Sequence, residues 1–491
     1  MVSTSQAALR TRLHNTIDRR EAASIEAVRD WLRRPSFSDT GEGMAEAAVY
    51  TRDLLAQIAP DAQIVPTAGY PMVLGTVKSK QPDAPTLMVY GLYDVTPLVA
   101  EEWSIDDPMR APIVDAADIG ITAITGRVLV GRGANNHKGP VLSSILAVKA
   151  MLDVEGDVPV NLIYVIEGEE EIGSPSMAGF VAEHYTLLST ADGVWLPCMQ
   201  QSSIGSMVLR RAYKGALFAD LECKGGEWGG TLDAKHIWAG HSAWIASPAM
   251  QLIRGLATLF DDEQRATIDG LDEAREIYLA PDDPAIQKIV DQFRDNPHWQ
   301  DNLLTNLNVR RLLGDKPLAE HLAHYMVGTT FNIQGLDSGY QGPTFYTNMP
   351  GSATAKVDVR FTPGISHEKI VELIQAHLYR RGYSGIEVKN WRGYDGAPEL
   401  PDVEDTLLQA ARVTAEKYNV PLRTWPIANN CCPASLLANL DRQIPFSIAG
   451  LGHGARPHAP DEYITVESIN KLMHWTVDYL TDWAEIARAT R

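Results

Sequence analysis

The sequence predicts an α/β protein carrying a smaller inserted α+β domain, on three observations. Apolar runs of strand length alternate with helical patterns through about the first 200 residues, the alternation changes character near Arg210, and it resumes near residue 400. A chain of 491 residues with 45% hydrophobic content is too long for one ordinary domain and apolar enough for a large core. The boundaries fall at 1–207 and 397–491 for the two parts of the larger domain and at 208–396 for the insert.

In the first part, TLMVYGLYDV (86–95) reads as a strand, GPVLSSILAVKAML (139–152) as a helix, VNLIYVIE (160–167) as a strand and SMAGFVAEHYTLL (176–188) as a helix. Ligands of such sheets sit beyond the carboxyl ends of the strands, where the Asp94 loop and the run EGEEEIGS (167–174) both fall. In the insert, GALFADLECKG, the helix AMQLIRGLATLF, the half-buried strand SATAKVDVRFTP and the helix HEKIVELIQAHLYRRG suit a sheet with helices on one face. The last part holds SIAGLGHGARPHAPDEYI and a closing amphipathic helix, VESINKLMHWTVDYLTDWAEIA.

A net charge of -19, with no basic run longer than a pair, excludes a nucleic-acid surface and points to a small-molecule partner. No apolar stretch reaches the roughly 18 residues of a membrane span, and the N-terminus is charged and helix-like rather than a signal peptide, so no membrane partner and a cytoplasmic location are expected. The four cysteines, Cys198, Cys223, Cys431 and Cys432, do not form a disulfide framework of the secreted kind. Glu167, Glu169, Glu170 and Glu171 crowd the end of an apolar strand, which requires a compensating positive charge nearby.

Three segments stand in order: GLYDVTP (91–97) with Trp103 and DDP downstream, GRVLVGRGANNHKGP (126–140) and EGEEEIGS, followed late in the chain by GARPHAPDEYI (454–464). Their order and spacing, over nearly the whole chain, resemble the metallopeptidase family of the aminoacylases, carnosine dipeptidases and succinyl-diaminopimelate desuccinylase. The resemblance implies a zinc-exopeptidase-like mixed-sheet catalytic domain with an inserted α+β lid and dimerisation domain, hence a homodimer. In that family the motifs read G-H-x-D-V-x-P, G-R-G-x-x-D-x-K-G and two glutamates before x-G-S, and two zinc-type ions share the aspartate of the second motif.

Residue by residue, the resemblance makes Glu170 the general base and Asp94 the aspartate that orients the site, with Glu171 and His458 as ligands of one metal ion. Three of five ligand positions depart from the pattern: Leu92 replaces the histidine, Asn136 the bridging aspartate and Cys198 the last acidic ligand. Leucine coordinates nothing, and a neutral amide offers one weak oxygen. Two dications roughly 4 Å apart repel by on the order of 20 kcal/mol at an effective dielectric near 20, which a bridging carboxylate offsets. The two-metal centre is therefore expected to be absent. One Zn, Mn or Fe ion held by Glu171 and His458, with Asn136, His137, His453 or Cys198 completing the shell, is weighed against no metal, with Lys138, Arg132 or protonation neutralising the carboxylates.

In the insert the family's lid histidine, an oxyanion donor reaching the partner subunit's site, matches His236, with His241 as rival, within LDAKHIWAGHSAWIASP. Arg360 matches an arginine that holds a substrate carboxylate. NNCCP (429–433) replaces a glycine-rich substrate loop, so Asn430 and Cys431 are substrate-binding candidates, and side chains fill the space through which a peptide backbone would approach. The expectation is a hydrolase cleaving an amide-like or other C–N bond of an unusual small molecule, not an ordinary dipeptidase. The alternatives are a metal-independent lyase or isomerase with Glu170 abstracting a carbon-bound proton, and a non-catalytic member of the fold.

Overall fold

The computed structural model describes residues 4–274, 279–296, 298–307 and 309–490. The chain divides into two compact units: the first takes in the chain to Arg211, Glu399–Trp425 and the chain from Pro433 on, and the second Ala212–Pro398 and Pro426–Cys432. The segment carrying Asn429, Asn430 and Cys431 thus belongs to the second unit. Among the described residues no helix is long and apolar enough to cross a membrane.

The first unit is built on a six-stranded mixed sheet in the spatial order Gln63–Val65, Met72–Val77, Asn161–Glu167, Thr86–Leu92, Gly193–Pro197, Phe446–Ala449. The first two pairings are antiparallel and the remaining three parallel. The central strands NLIYVIE and TLMVYGL are buried on nearly every residue, as strands covered on both faces must be. The helix Lys138–Glu155 buries twelve of its eighteen residues, which explains its poorly segregated sequence, and it stops at Gly156 in the left-handed conformation (φ 67°). Together with Glu467–Thr490 it contributes to a core containing Trp31, Trp195, Trp475 and Trp483.

A four-stranded sheet in the order Gly454–Ala455, Tyr463–Thr465, Arg127–Val130, Ile113–Asp115 sets the geometry of the site. Tyr463 lies opposite Val130 across an antiparallel pair, so the residues just before Tyr463 meet the loop just after Val130, although more than 300 positions separate them.

In the second unit, Thr330–Asp337, Ser352–Phe361, Tyr213–Lys224 and Ile386–Tyr394 form an antiparallel sheet in that order, and Ala428–Cys431 joins Tyr213–Lys224 in parallel. Apolar residues of the helices Pro248–Ala257 and His367–Arg380 form one core with the sheet, among them Leu252, Leu256, Ile370 and Ile374 against Leu217, Leu221 and Val357. This is the α+β pattern.

Candidate active site

Parallel pairing of Thr86–Leu92 with Asn161–Glu167 sets Leu92 opposite Glu167, so the loops bearing Asp94 and Glu169 to Glu171 leave the same sheet edge. Asp94 is wholly buried and accepts from the backbone N–H of Glu170 (3.3 Å) and of Glu171 (3.0 Å). Its two oxygens thereby hold the short turn Glu170–Ile172 that carries the glutamates. Burial pushes its carboxyl up to about 6, against the opposing effect of the Glu171 amide, the Ser38 hydroxyl and the Glu170 amide.

The glutamates divide by partner. Glu169, 2% exposed, accepts from the backbone N–H of Tyr70 (3.0 Å) and Ser176 (3.2 Å), and a Cβ on Gly69 would lie 1.8 Å from its Oε1, so position 69 needs a glycine. Glu167 accepts from the Ser174 hydroxyl at 2.5 Å, and burial raises it well above the ordinary carboxylate range. Glu171 is raised well above that range too, by burial first and then by Glu170, Asp94 and Glu462. Burial and the crowding of acids thus push Glu167 and Glu171 toward the protonated form.

Buried cations supply compensating charge. Arg132 Nη1 lies 2.9 Å from an oxygen of the fully buried Glu462, which also accepts from the N–H groups of Gly133 (3.2 Å), Asn135 (2.9 Å) and Asn136 (2.8 Å). Lys138 is 1% exposed, and its Nζ donates to the Arg34 carbonyl at 2.8 Å. Burial brings it down to about 7, opposed by Asp94 and Glu462. Glu462 is a functional candidate that sequence reasoning missed. The signal was an acidic residue directly ahead of a strand that pairs with the residues before the GRGANN loop.

The Glu462 clamp presents Asn136. Its Nδ2 lies 2.7 Å from Glu171 Oε1 and 2.9 Å from His458 Nε2, and His458 Nε2 is 3.3 Å from Glu171 Oε2. Asn136, Glu171 and His458 are therefore brought together. Cys198 is not part of this cluster: the half-buried side chain's sulfur accepts from Gln200 Nε2 at 2.9 Å, and desolvation pushes its thiol up. His137 turns its Nε2 to the Pro197 carbonyl, with burial bringing it down to about 4. His453 is engaged by the Gln201 carbonyl (2.8 Å) and the Tyr463 hydroxyl (3.0 Å). Among the described residues, three His, Cys, Asp or Glu ligand atoms mutually within 4.8 Å occur at His367, Glu368 and Asp395 in the second unit.

A two-metal centre does not fit these residues. Leu92 sits in the strand at 2% exposure with no donor atom, and no carboxylate occupies the bridging position. A single ion does fit: an amide group, a carboxylate and an imidazole converge, and oxygen and nitrogen donors suit Zn, Mn or Fe.

The remaining candidates lie in the second unit. His236 is exposed, its ring 5.7 Å from that of Tyr346, and His241 lies between the Trp238 and Trp244 rings. Arg360 is opposite Ala216 in the sheet, and its guanidinium is held above the ordinary range, first by the charge of Cys431. Cys431 is opposite Lys214, a wholly buried lysine donating to the carbonyls of Tyr325 (3.0 Å) and Gly328 (2.6 Å) and to Asn429 Oδ1 (2.9 Å). Asn430 is exposed. Lys214 fixes Asn429, and through it the segment bearing Asn430 and Cys431.

Residues 88–482 match the model of Peptidase family M20/M25/M40, and the chain belongs to that family, whose peptidases are hydrolases acting on C–N bonds. It is 25% identical over 454 residues to a Beta-Ala-His dipeptidase of Mus musculus, covering 84% of this chain and 83% of that protein. It is also 25% identical over 331 residues to a Cys-Gly metallodipeptidase of Saccharomyces cerevisiae, covering 65% of this chain and 62% of the relative. Among solved structures, an M20 family metallo-carboxypeptidase from Sulfolobus solfataricus superimposes with a TM-score of 0.77 at 24% identity, covering 94% of this chain and 99% of that one. The resemblance and the α/β fold class read from the sequence are both borne out.

Proposed function

We propose that this chain hydrolyses an amide-like or other C–N bond of a small molecule outside the ordinary dipeptide set, with Glu170 taking a proton from the attacking water and delivering it to the leaving nitrogen. What supports this reading is the Asn136 amide between Glu171 and His458, where its relatives by resemblance hold a carboxylate between two ions. At most one divalent ion, Zn, Mn or Fe, is held, by Glu171, His458 and Asn136. When bound it would supply Lewis-acid charge that a lone pair of carboxylates lacks.

The chain's own groups do the rest. Asp94 holds the turn bearing Glu170 by two amide hydrogen bonds. In this proposal His236 donates to the oxyanion, and Arg360, with Asn430 and Cys431, receives the acidic end of the substrate. Losing one ion removes several kcal/mol of transition-state stabilisation, roughly, which favours substrates with a good leaving group. The relatives' substrates, β-Ala-His and Cys-Gly, are the comparison compounds. The proposal includes a homodimer formed through the second unit and a cytoplasmic location.

The test is a screen of dipeptides, N-acyl amino acids and activated anilides with and without added Zn or Mn, on the wild type and on Glu170→Gln. Turnover of an activated amide that Glu170→Gln abolishes supports the proposal. Turnover of β-Ala-His at the highest rate in the panel, or no turnover of any amide, contradicts it.

A further inference from the structure

The Asn136 side chain faces two sets of partners, and its present orientation satisfies only one. Its Nδ2 points at Glu171 Oε1 (2.7 Å) and His458 Nε2 (2.9 Å), and its Oδ1 lies 3.3 Å from His137 Nδ1. His137 is 3% exposed, and its Nε2 meets the Pro197 carbonyl oxygen. A carbonyl only accepts, so Nε2 of the neutral ring carries the hydrogen and Nδ1 presents a lone pair. Two acceptors, Nδ1 and the amide oxygen, therefore face each other.

Turning the amide over exchanges its oxygen and nitrogen at almost no cost in shape. The NH2 then donates to His137 Nδ1, and the oxygen takes the position now held by Nδ2. With Glu171 ionised and a lone pair on His458 Nε2, the state a cation selects, three acceptors from Glu171, Asn136 and His458 would then converge at separations of 2.7, 2.9 and 3.3 Å. The donor atoms of a tetrahedral shell with bonds of about 2.1 Å stand roughly 3.4 Å apart, so these atoms need only spread by a few tenths of an ångström to take a small cation between them.

We propose that Asn136 is a reversible ligand: with the site empty of cation its NH2 pairs with Glu171 and His458, and a single divalent ion turns the amide so that its oxygen coordinates and His137 accepts the NH2. This rests on the one-ion reading above. His137 does not itself coordinate the ion and acts as a positioning residue. It biases the amide toward the coordinating orientation, as hydrogen bonds to the ligands of a metal commonly do.

The test is Mn2+ titration followed by electron paramagnetic resonance, a readout that needs no substrate. One Mn2+ is expected to bind the wild type, about tenfold more tightly to Asn136→Asp, which coordinates without turning, and about tenfold more weakly to His137→Phe, which removes no ligand. Because His137→Phe leaves a buried carbonyl unpaired, its fold is checked by circular dichroism, and His137→Gln, which keeps a donor for Pro197, serves if it fails. A folded His137 variant that binds like the wild type overturns the inference. So does a wild type that binds nothing while Asn136→Asp binds, since the amide then never turns. Absence of binding to both wild type and Asn136→Asp instead overturns the one-ion reading itself.

Discussion

The buried acidic residues around the site are held in two opposite ways. Asp94, Glu169 and Glu462 each accept from two or more backbone N–H groups, and Glu462 adds Arg132. Glu171, as thoroughly buried, meets the side chains of Asn136 and His458 and is crowded by Glu170, Asp94 and Glu462. The first set shapes the loops and gains its stability from fixed dipoles. The second is held in a state that costs stability until something positive arrives. This difference explains how an amide, Asn136, can stand beside Glu171 and His458 while the loops around them stay held by backbone hydrogen bonds.

The comparison breaks most visibly at Glu462. Glu462→Leu leaves Arg132 buried without its partner and three N–H groups without an acceptor, and is expected to cost about 3–5 kcal/mol in urea unfolding or to prevent folding. A loss under about 1 kcal/mol would remove Glu462 from the structural set. Glu171→Gln, by contrast, relieves like-charge crowding and is expected to raise stability by about 0.5–1 kcal/mol. Glu170→Gln is expected to lower turnover by about 10²- to 10⁴-fold with the melting temperature unchanged. Equal loss in both measures would make Glu170 a structural glutamate.

A control lies far from the site. Asp478 is pushed up by burial, but hydrogen bonds from His14, Arg10 and Tyr418 outweigh this and hold it down to about 2. A depressed carboxyl contributes stability that is fully present above the unfolded value near 4 and is lost as pH falls from about 4 to 2. The loss should be about 2 kcal/mol, and Asp478→Asn should flatten that limb of the acid-stability curve. An unchanged curve would show that Arg10 and Tyr418 do not hold the ion. The smallest effect is expected at the exposed Asn430, where Asn430→Gly should leave stability within about 0.5 kcal/mol and improve KM for dipeptides. A change in stability with no change in KM would refute its placement on the substrate segment.

The fold was legible because motifs such as GLYDVTP and EGEEEIGS mark strand ends, and those ends gather at one sheet edge by the parallel pairing of Leu92 with Glu167. The convergence of Asn136, Glu171 and His458 was legible through the family resemblance of the motifs that carry them. What was not legible depended on side-chain direction. His137 and His453 could have been ligands by position, but each is taken by a carbonyl on a neighbouring segment. Cys198 could have been a ligand by position, but its sulfur is taken by Gln200, and desolvation pushes its thiol up. Glu462 stood in view within PHAPDEYI, but its partners are amide groups at 133, 135 and 136, and only the register of Tyr463 on Val130 brings them together. Lys214 was hidden similarly, since its three acceptors come from residues 325, 328 and 429.

We expect the family's paired-ion centre to be reduced here to one position or fewer. Metal content per chain, measured by plasma mass spectrometry on protein purified without chelators or a metal-affinity column and then incubated with Zn or Mn, tests it most directly. No more than one tightly held ion per chain is expected, lost in Asn136→Leu; two ions per chain would show that the paired-ion centre survives.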